Sequence, residues 1–195
     1  NEILAKLFVA RAESARKIAL REMARCERSK FSLPDADEFV AIVYRYSRAA
    51  LEGTATLNLE VLAKIMRGQA IEGAIYAYEF GEFAEVVSSL KTKEIVYLGT
   101  LIRLHREGVL VSKEDGSGFF EIDQSVSIQM HKLLVGTNHF PGNRELVSCE
   151  SGLQRTSLIY PAFQIMNGTI YAPTSELERL AELVEFSEVL EGINT

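Results

Sequence analysis

The chain has 195 residues, of which 47% are hydrophobic and 25% charged, with a formal net charge of −6. That much apolar side chain offsets the entropy of ordering and excludes a disordered chain, and the length suits one large domain or two small ones. No apolar run approaches the roughly 18 residues a bilayer span needs, so no membrane partner is expected.

The first ten residues are mostly apolar, but basic side chains follow at Lys6, Arg11, Arg16 and Lys17, a pattern a secretory signal does not show. Residues 2–29 lack Gly and Pro, and Leu4, Leu7, Phe8, Ala15, Ile18, Ala19, Met23 and Cys26 recur at spacings of three and four. This predicts a long amphipathic helix whose polar face carries Arg11, Arg16, Arg21, Arg25 and Arg28, a candidate partner-binding surface. Pro34-Asp35 then interrupts, with Asp35 as N-cap of a helix over 36–52 on the stripe Phe39, Ile42, Val43, Tyr46 and Ala50. Gly53 ends it. Asn58 caps a short helix that Gly68 is expected to close, and residues 69–80 continue a helical pattern with Tyr76, Tyr78 and Phe80 read as core.

Gly81 opens a further short helix over Phe83, Val86, Val87 and Leu90, and Lys91-Thr92 makes a tight connection. Thr92 is expected to cap a helix to about Glu107, with Ile95, Leu98, Leu101, Ile102 and Leu104 inward and Gly108 just past its end. Val109-Leu110-Val111 and Phe119-Phe120-Glu121-Ile122 flank a polar, Gly-containing turn and read as a hairpin. Residues 124–135 are expected to be helical, and 136–152 to be a loop-rich connection with Cys149 in a strand-like context. A second hairpin follows around Asn167-Gly168, and Ser175 with Glu178 forms a capping box for one closing helix.

Charge is unevenly distributed. Residues 1–30 hold eight Lys/Arg against four Asp/Glu, whereas 174–195 hold Arg179 against six glutamates. The terminal helices either face each other, within a chain or between subunits, or are two independently solvated faces.

Glu82-Phe83-Ala84-Glu85-Val86-Val87, then Thr92 through Gly108, then Val109-Leu110-Val111 follow the order helix, tight turn, longer helix, hairpin. In that order the stretch from about 58 to 122 resembles the winged-helix superfamily, at superfamily level only. The resemblance implies that the second helix could enter a DNA major groove while the wing approaches the backbone. The matching outward side chains would be Lys93, Tyr97, Thr100 and Arg103, with Lys113 on the wing. Glu114 and Asp115 at the wing tip would repel phosphate, and a DNA reader normally shows a basic footprint.

Enzymatic signals are weak. The chain holds no G-x-G-x-x-G, Walker A, G-x-S-x-G or H-E-x-x-H motif. His105, His131 and His139 lack partners at metal-ligand spacing, so neither metal nor other cofactor is expected. A Cys149–His139 nucleophile–base pair has no surrounding motif. The two cysteines, Cys26 and Cys149, form no disulfide framework and read as reduced thiols of a cytoplasmic protein.

These readings predict a mainly α (α+β) chain: a helical segment over 1–57, a winged-helix-like unit over 58–135, and a loop, hairpin and closing helix over 136–195. The expected function is a non-enzymatic interaction module, a subunit or adaptor of a bacterial or phage protein complex, with a protein partner or a homo-oligomer. A sequence-specific DNA-binding regulator is the alternative, and an enzyme of unknown type comes third.

Overall fold

A computed structural model describes residues 2–26, 36–73, 76–107, 113–114, 120–121, 125–165 and 168–193. The chain is mainly α with antiparallel hairpins, and it divides into two compact units: residues 1–90 with 182–185, and residues 91–181 with 186–195. The division falls between Leu90 and Lys91, inside the stretch over which a winged-helix-like unit was expected.

The first unit contains α1 (Glu2–Ala24), α2 (Ala36–Glu52), α3 (Thr56–Glu72) and α4 (Ala77–Ser89). On α2, Ile42, Tyr46, Ala49 and Ala50 are buried at spacings of four and three, and the Tyr46 hydroxyl donates to the Ala15 carbonyl of α1 at 3.0 Å. Gly53, at φ +94°, ends α2 as expected. The helix α3 is buried almost all round from Asn58 to Gln69. Asn58 Nδ2 donates to the carbonyls of Val87 and Leu90 and so satisfies the carboxy-terminal end of α4.

Two glycines do not punctuate as expected. Gly68 lies inside α3 because the backbone of Leu183, in the 182–185 segment of this unit, occupies its side-chain space: a Cβ would stand 2.5 Å from the Leu183 carbonyl oxygen. Gly81 lies inside α4, where the Arg45 guanidinium from α2 fills the place of a Cβ and donates to the Ala77 carbonyl. The helix expected over 69–80 is therefore absent as such. It is Gly73, at φ +72°, that closes α3. Of the aromatic patch, Phe80 is core, whereas Tyr76 and Tyr78 are exposed.

The second unit contains α5 (Thr92–Arg106), β1 (Lys113–Glu114), β2 (Phe120–Glu121), α6 (Ser125–Leu134), α7 (Asn143–Leu153), β3 (Ile159–Ile165), β4 (Gly168–Pro173), α8 (Ser175–Leu183, its last two residues counted with the first unit) and α9 (Phe186–Ile193). The expected stripe Ile95, Leu98, Leu101, Ile102 and Leu104 is buried, and Gly99 lets Phe186 and Leu190 of α9 approach α5 closely. Lys91, not Thr92, is the N-cap of α5: the Glu94 carboxylate reaches back to accept the Lys91 N–H at 2.8 Å.

In the expected wing, Lys113 pairs with Glu121 and Glu114, expected in the turn, pairs with Phe120; Gly108, the expected strand Val109-Leu110-Val111, residues 115–119 and Ile122 lie outside the described residues, as do Arg28 and Asp35. The second hairpin forms as expected, with Ile165 opposite Gly168 and a bulge between Pro161 and Phe163.

The largest departure is α7, where a loop was expected. Leu146, Cys149 and Leu153 are buried at helical spacing, so Cys149 is helical and not in a strand. Ahead of it the connection is pinned by the fully buried Phe140, whose carbonyl accepts the Gly136 N–H at 2.8 Å. The closing helix is two helices, interrupted at Val184-Glu185, and Thr174 rather than Ser175 caps α8, its hydroxyl accepting the Leu177 N–H at 3.4 Å.

Candidate functional site

The outward face expected on α5 is not formed. Tyr97 and Thr100 are buried; the Tyr97 hydroxyl donates to Glu150 Oε1 of α7 at 3.2 Å, and Thr100 Oγ1 donates to the Val96 carbonyl of its own helix at 2.9 Å. Lys93 is half-buried, and of the four only Arg103 is exposed. The structure therefore brings together no row of exposed donors along this helix. Burial wins because Tyr97 and Thr100 share a side of α5 with the apolar residues that α7 and α9 cover.

That burial creates a polar cluster which sequence reasoning missed. Glu94, 1% exposed, receives both guanidinium nitrogens of Arg155 at 2.8 Å, besides the Lys91 N–H. Burial pushes the Glu94 carboxyl upward, but the hydrogen bonds from Arg155 and Lys91 and the guanidinium charge hold it below its ordinary range. Glu150 shows the opposite balance: burial pushes it up to about 7, and the Tyr97 hydrogen bond only partly restrains it. The tyrosine hydroxyl itself is pushed well above its usual value, first by burial and then by Glu150.

Cys149 is fully buried and its thiol points at the Lys93 carbonyl, 3.8 Å away. Burial, reinforced by Glu94, pushes the thiol up to about 12, so at neutral pH it is a protonated packing group and not a nucleophile. His139 is half-buried, and no hydrogen bond joins it to Cys149 among the described residues. His105 faces Glu178 at 2.9 Å. Among the described residues no three His, Cys, Asp or Glu side chains gather as metal ligands would.

The arginines of α1 are mostly engaged within the first unit. Arg11 lies on the packed seam and not on the polar face: its guanidinium donates to the Leu51 carbonyl at 3.4 Å and covers Gly53, at the negative end of α2. Arg21 bridges to Glu60 of α3 at 2.9 Å, and Arg25 to Glu22 at 3.1 Å. Arg16 is exposed and pairs with no described residue. Glu22, which no sequence signal singled out, is 1% exposed beneath Arg21, Arg25, Lys64 and Arg67, at 3.1–3.7 Å.

The amino-terminal half of α1 is the opposite. Its stripe continues the one that buries Ala15 and Ile18, yet Leu4, Leu7 and Phe8 are 56%, 44% and 46% exposed. Ile3 and Val9, on other sides of the helix, are 83% and 57% exposed. Residues 3–10 thus show apolar side chains around most of the circumference, broken only by Lys6, which Glu2 bridges at 2.7 Å. Leu4, Leu7 and Phe8 were legible in the sequence as an apolar stripe; that no described residue of their own unit covers them was not.

Between α2 and α4 runs an open groove of about 570 Å³, lined by Arg45, Arg48, Glu52, Tyr78, Gly81 and Glu85 among others. Its charges are engaged close by, Arg48 with Glu52 at 2.7 Å and Arg45 with the Ala77 carbonyl. This is the pattern of a solvated helix surface. No described helix is long and apolar enough to cross a membrane.

Against known proteins the chain matches no family model, no curated protein and no solved structure.

Proposed function

We propose that the protein is a non-enzymatic, cytoplasmic interaction module, a subunit or adaptor of a bacterial or phage protein complex, and that it pairs with a second copy of itself through residues 2–10 of α1. The observation that carries this is the exposure of Ile3, Leu4, Leu7, Phe8 and Val9 on two successive turns. A helix apolar round most of its circumference belongs in a core, and an exposed patch of this kind marks an interaction site.

Charge favours a second copy. Glu2 and Lys6 cancel within the helix, so two such segments meet across a twofold axis without like-charge repulsion, whereas the following turns carry Arg11, Arg16 and Lys17. Buried Tyr97 and Thr100 leave the DNA-reading alternative without the helix face it needs.

Light scattering coupled to size exclusion tests the reading. Wild type is expected to be dimeric or larger with a concentration-dependent mass. The double variant Leu7→Glu with Phe8→Glu is expected to be folded by circular dichroism and monomeric, since both side chains are already exposed. A wild type that stays monomeric at every concentration, or a double variant that keeps the wild-type mass, overturns self-pairing through α1.

A further inference from the structure

We propose, resting on the self-pairing above, that the two α1 helices run antiparallel, each laying residues 2–10 across the same stretch of the other. The first turn of one helix then reaches the α2–α3 turn of the other copy. Contacts within the first unit define how much of α1 is open. The Ala15 carbonyl accepts from Tyr46 of α2 at 3.0 Å, and four residues earlier Arg11 reaches the Leu51 carbonyl at 3.4 Å and covers Gly53, where α2 ends. The two helices are therefore antiparallel, and α1, followed back from Arg11, runs out past the end of α2. With α3 it is parallel. Arg21 meets Glu60 at 2.9 Å, and Glu22 meets Lys64 and Arg67 at 3.7 and 3.2 Å, so the start of α3 at Thr56 lies level with the middle of α1. Residues 2–10 thus project beyond both neighbours by about 13 Å, at about 1.5 Å per residue.

Leu4, Leu7 and Phe8 stand in line with Arg11, Ala15 and Ile18, so the open face continues the one that α2 and α3 cover further along. A parallel pair does not fit this geometry. Beyond residue 10 a parallel partner on that face would run into the volume α2 and α3 already fill, since packed helices need about 8–10 Å between axes. Arg11 would also stand beside its own counterpart.

An antiparallel partner enters from the opposite end, with its own α2 and α3 level with the far end of the segment. The twofold axis then passes near residue 6, and Leu4 of each helix lies opposite Phe8 of the other. In this register Glu2 comes within a turn of Arg11 of the other copy, opposite charges in place of like ones. Ile3, 83% exposed, arrives beside Leu51, itself 40% exposed next to the α2–α3 turn.

Pulsed electron spin resonance on the full chain reads the orientation, with Cys26→Ser and a nitroxide on Ala10→Cys or on Lys17→Cys. Both positions are exposed, lie off the apolar stripe and share one side of α1, and Cys149 is fully buried. In an antiparallel pair each residue away from the axis adds about 3 Å, twice the helical rise, to the axial separation of equivalent labels. The label-to-label distance at position 17 is therefore expected to exceed that at position 10 by roughly 15–20 Å. Equal distances at the two positions in a protein of dimeric mass overturn the antiparallel arrangement alone. A monomeric mass by light scattering, or a dimer without dipolar coupling at position 10, overturns pairing through α1 and this arrangement with it.

Discussion

Glu22 and Glu60 both accept from arginines, yet the same substitution has different consequences at the two positions. Glu22 is 1% exposed, and its partners Lys64 and Arg67 have side chains only 6% and 11% exposed. Removing the carboxylate leaves cations in a place water does not reach well, and breaking a buried pair from one side costs about 3 kcal/mol or more. Glu60 meets Arg21 in a partly solvated setting, with side chains 31% and 51% exposed, where an ion pair contributes about 0–1 kcal/mol. Urea denaturation is therefore expected to show Glu22→Ala destabilised by about 3 kcal/mol and Glu60→Ala by less than about 1 kcal/mol. Equal losses at the two sites would remove Glu22 as the electrostatic centre of the first unit. Position 22 continues the spacing of Ala15 and Ile18, so the face it shares was legible in the sequence. Its burial was not, because Glu is ordinarily read as solvent-facing and the cations on α3 lie about forty residues away in the chain.

At the scale of elements, what the sequence showed depended on whether the deciding contact was local. The stripe of α5, that of α2 apart from the exposed Val43, the Gly53 terminus and the second hairpin rest on spacing and turn chemistry within a few residues, and these were legible. The helix α7 was obscured because Pro141-Gly142-Asn143 immediately precedes it; the signal that could have found it is the three-then-four spacing of Leu146, Cys149 and Leu153. Gly68 and Gly81 misled for the opposite reason: each is small to admit a distant group, not to end a helix. The two glycines differ in what they admit, which makes a paired prediction. Alanine at 68 collides with the Leu183 backbone, which cannot step aside, and overpacking of this kind costs about 1–3 kcal/mol. Alanine at 81 meets the flexible end of Arg45, and a helix interior prefers Ala over Gly by about 1 kcal/mol. Thermal unfolding should thus show Gly68→Ala clearly destabilised and Gly81→Ala close to wild type. A Gly81→Ala loss equal to that at 68 would mean that the Arg45 bond to Ala77 is not expendable.

For the whole molecule, charge decides which partners are plausible. The first unit holds twelve Lys/Arg against fifteen Asp/Glu and the second nine against twelve, so each carries −3. The one basic stretch, at the start of the chain, is largely neutralised where it is described: Arg21 and Arg25 face glutamates and Arg11 faces a helix carboxy terminus. Phosphate binding draws its affinity from lysines and arginines free to replace counterions, and its salt dependence scales with their number. Neither unit has the net positive charge that would gather a duplex before any base is read. Electrophoretic mobility shift with random and promoter-derived duplexes at low salt is therefore expected to show no retained complex, and Arg103→Ala is expected to change nothing. A complex that weakens steeply with salt and is lost in Arg103→Ala would place the function on the exposed end of α5, and would count against the uncovered start of α1 as the principal surface.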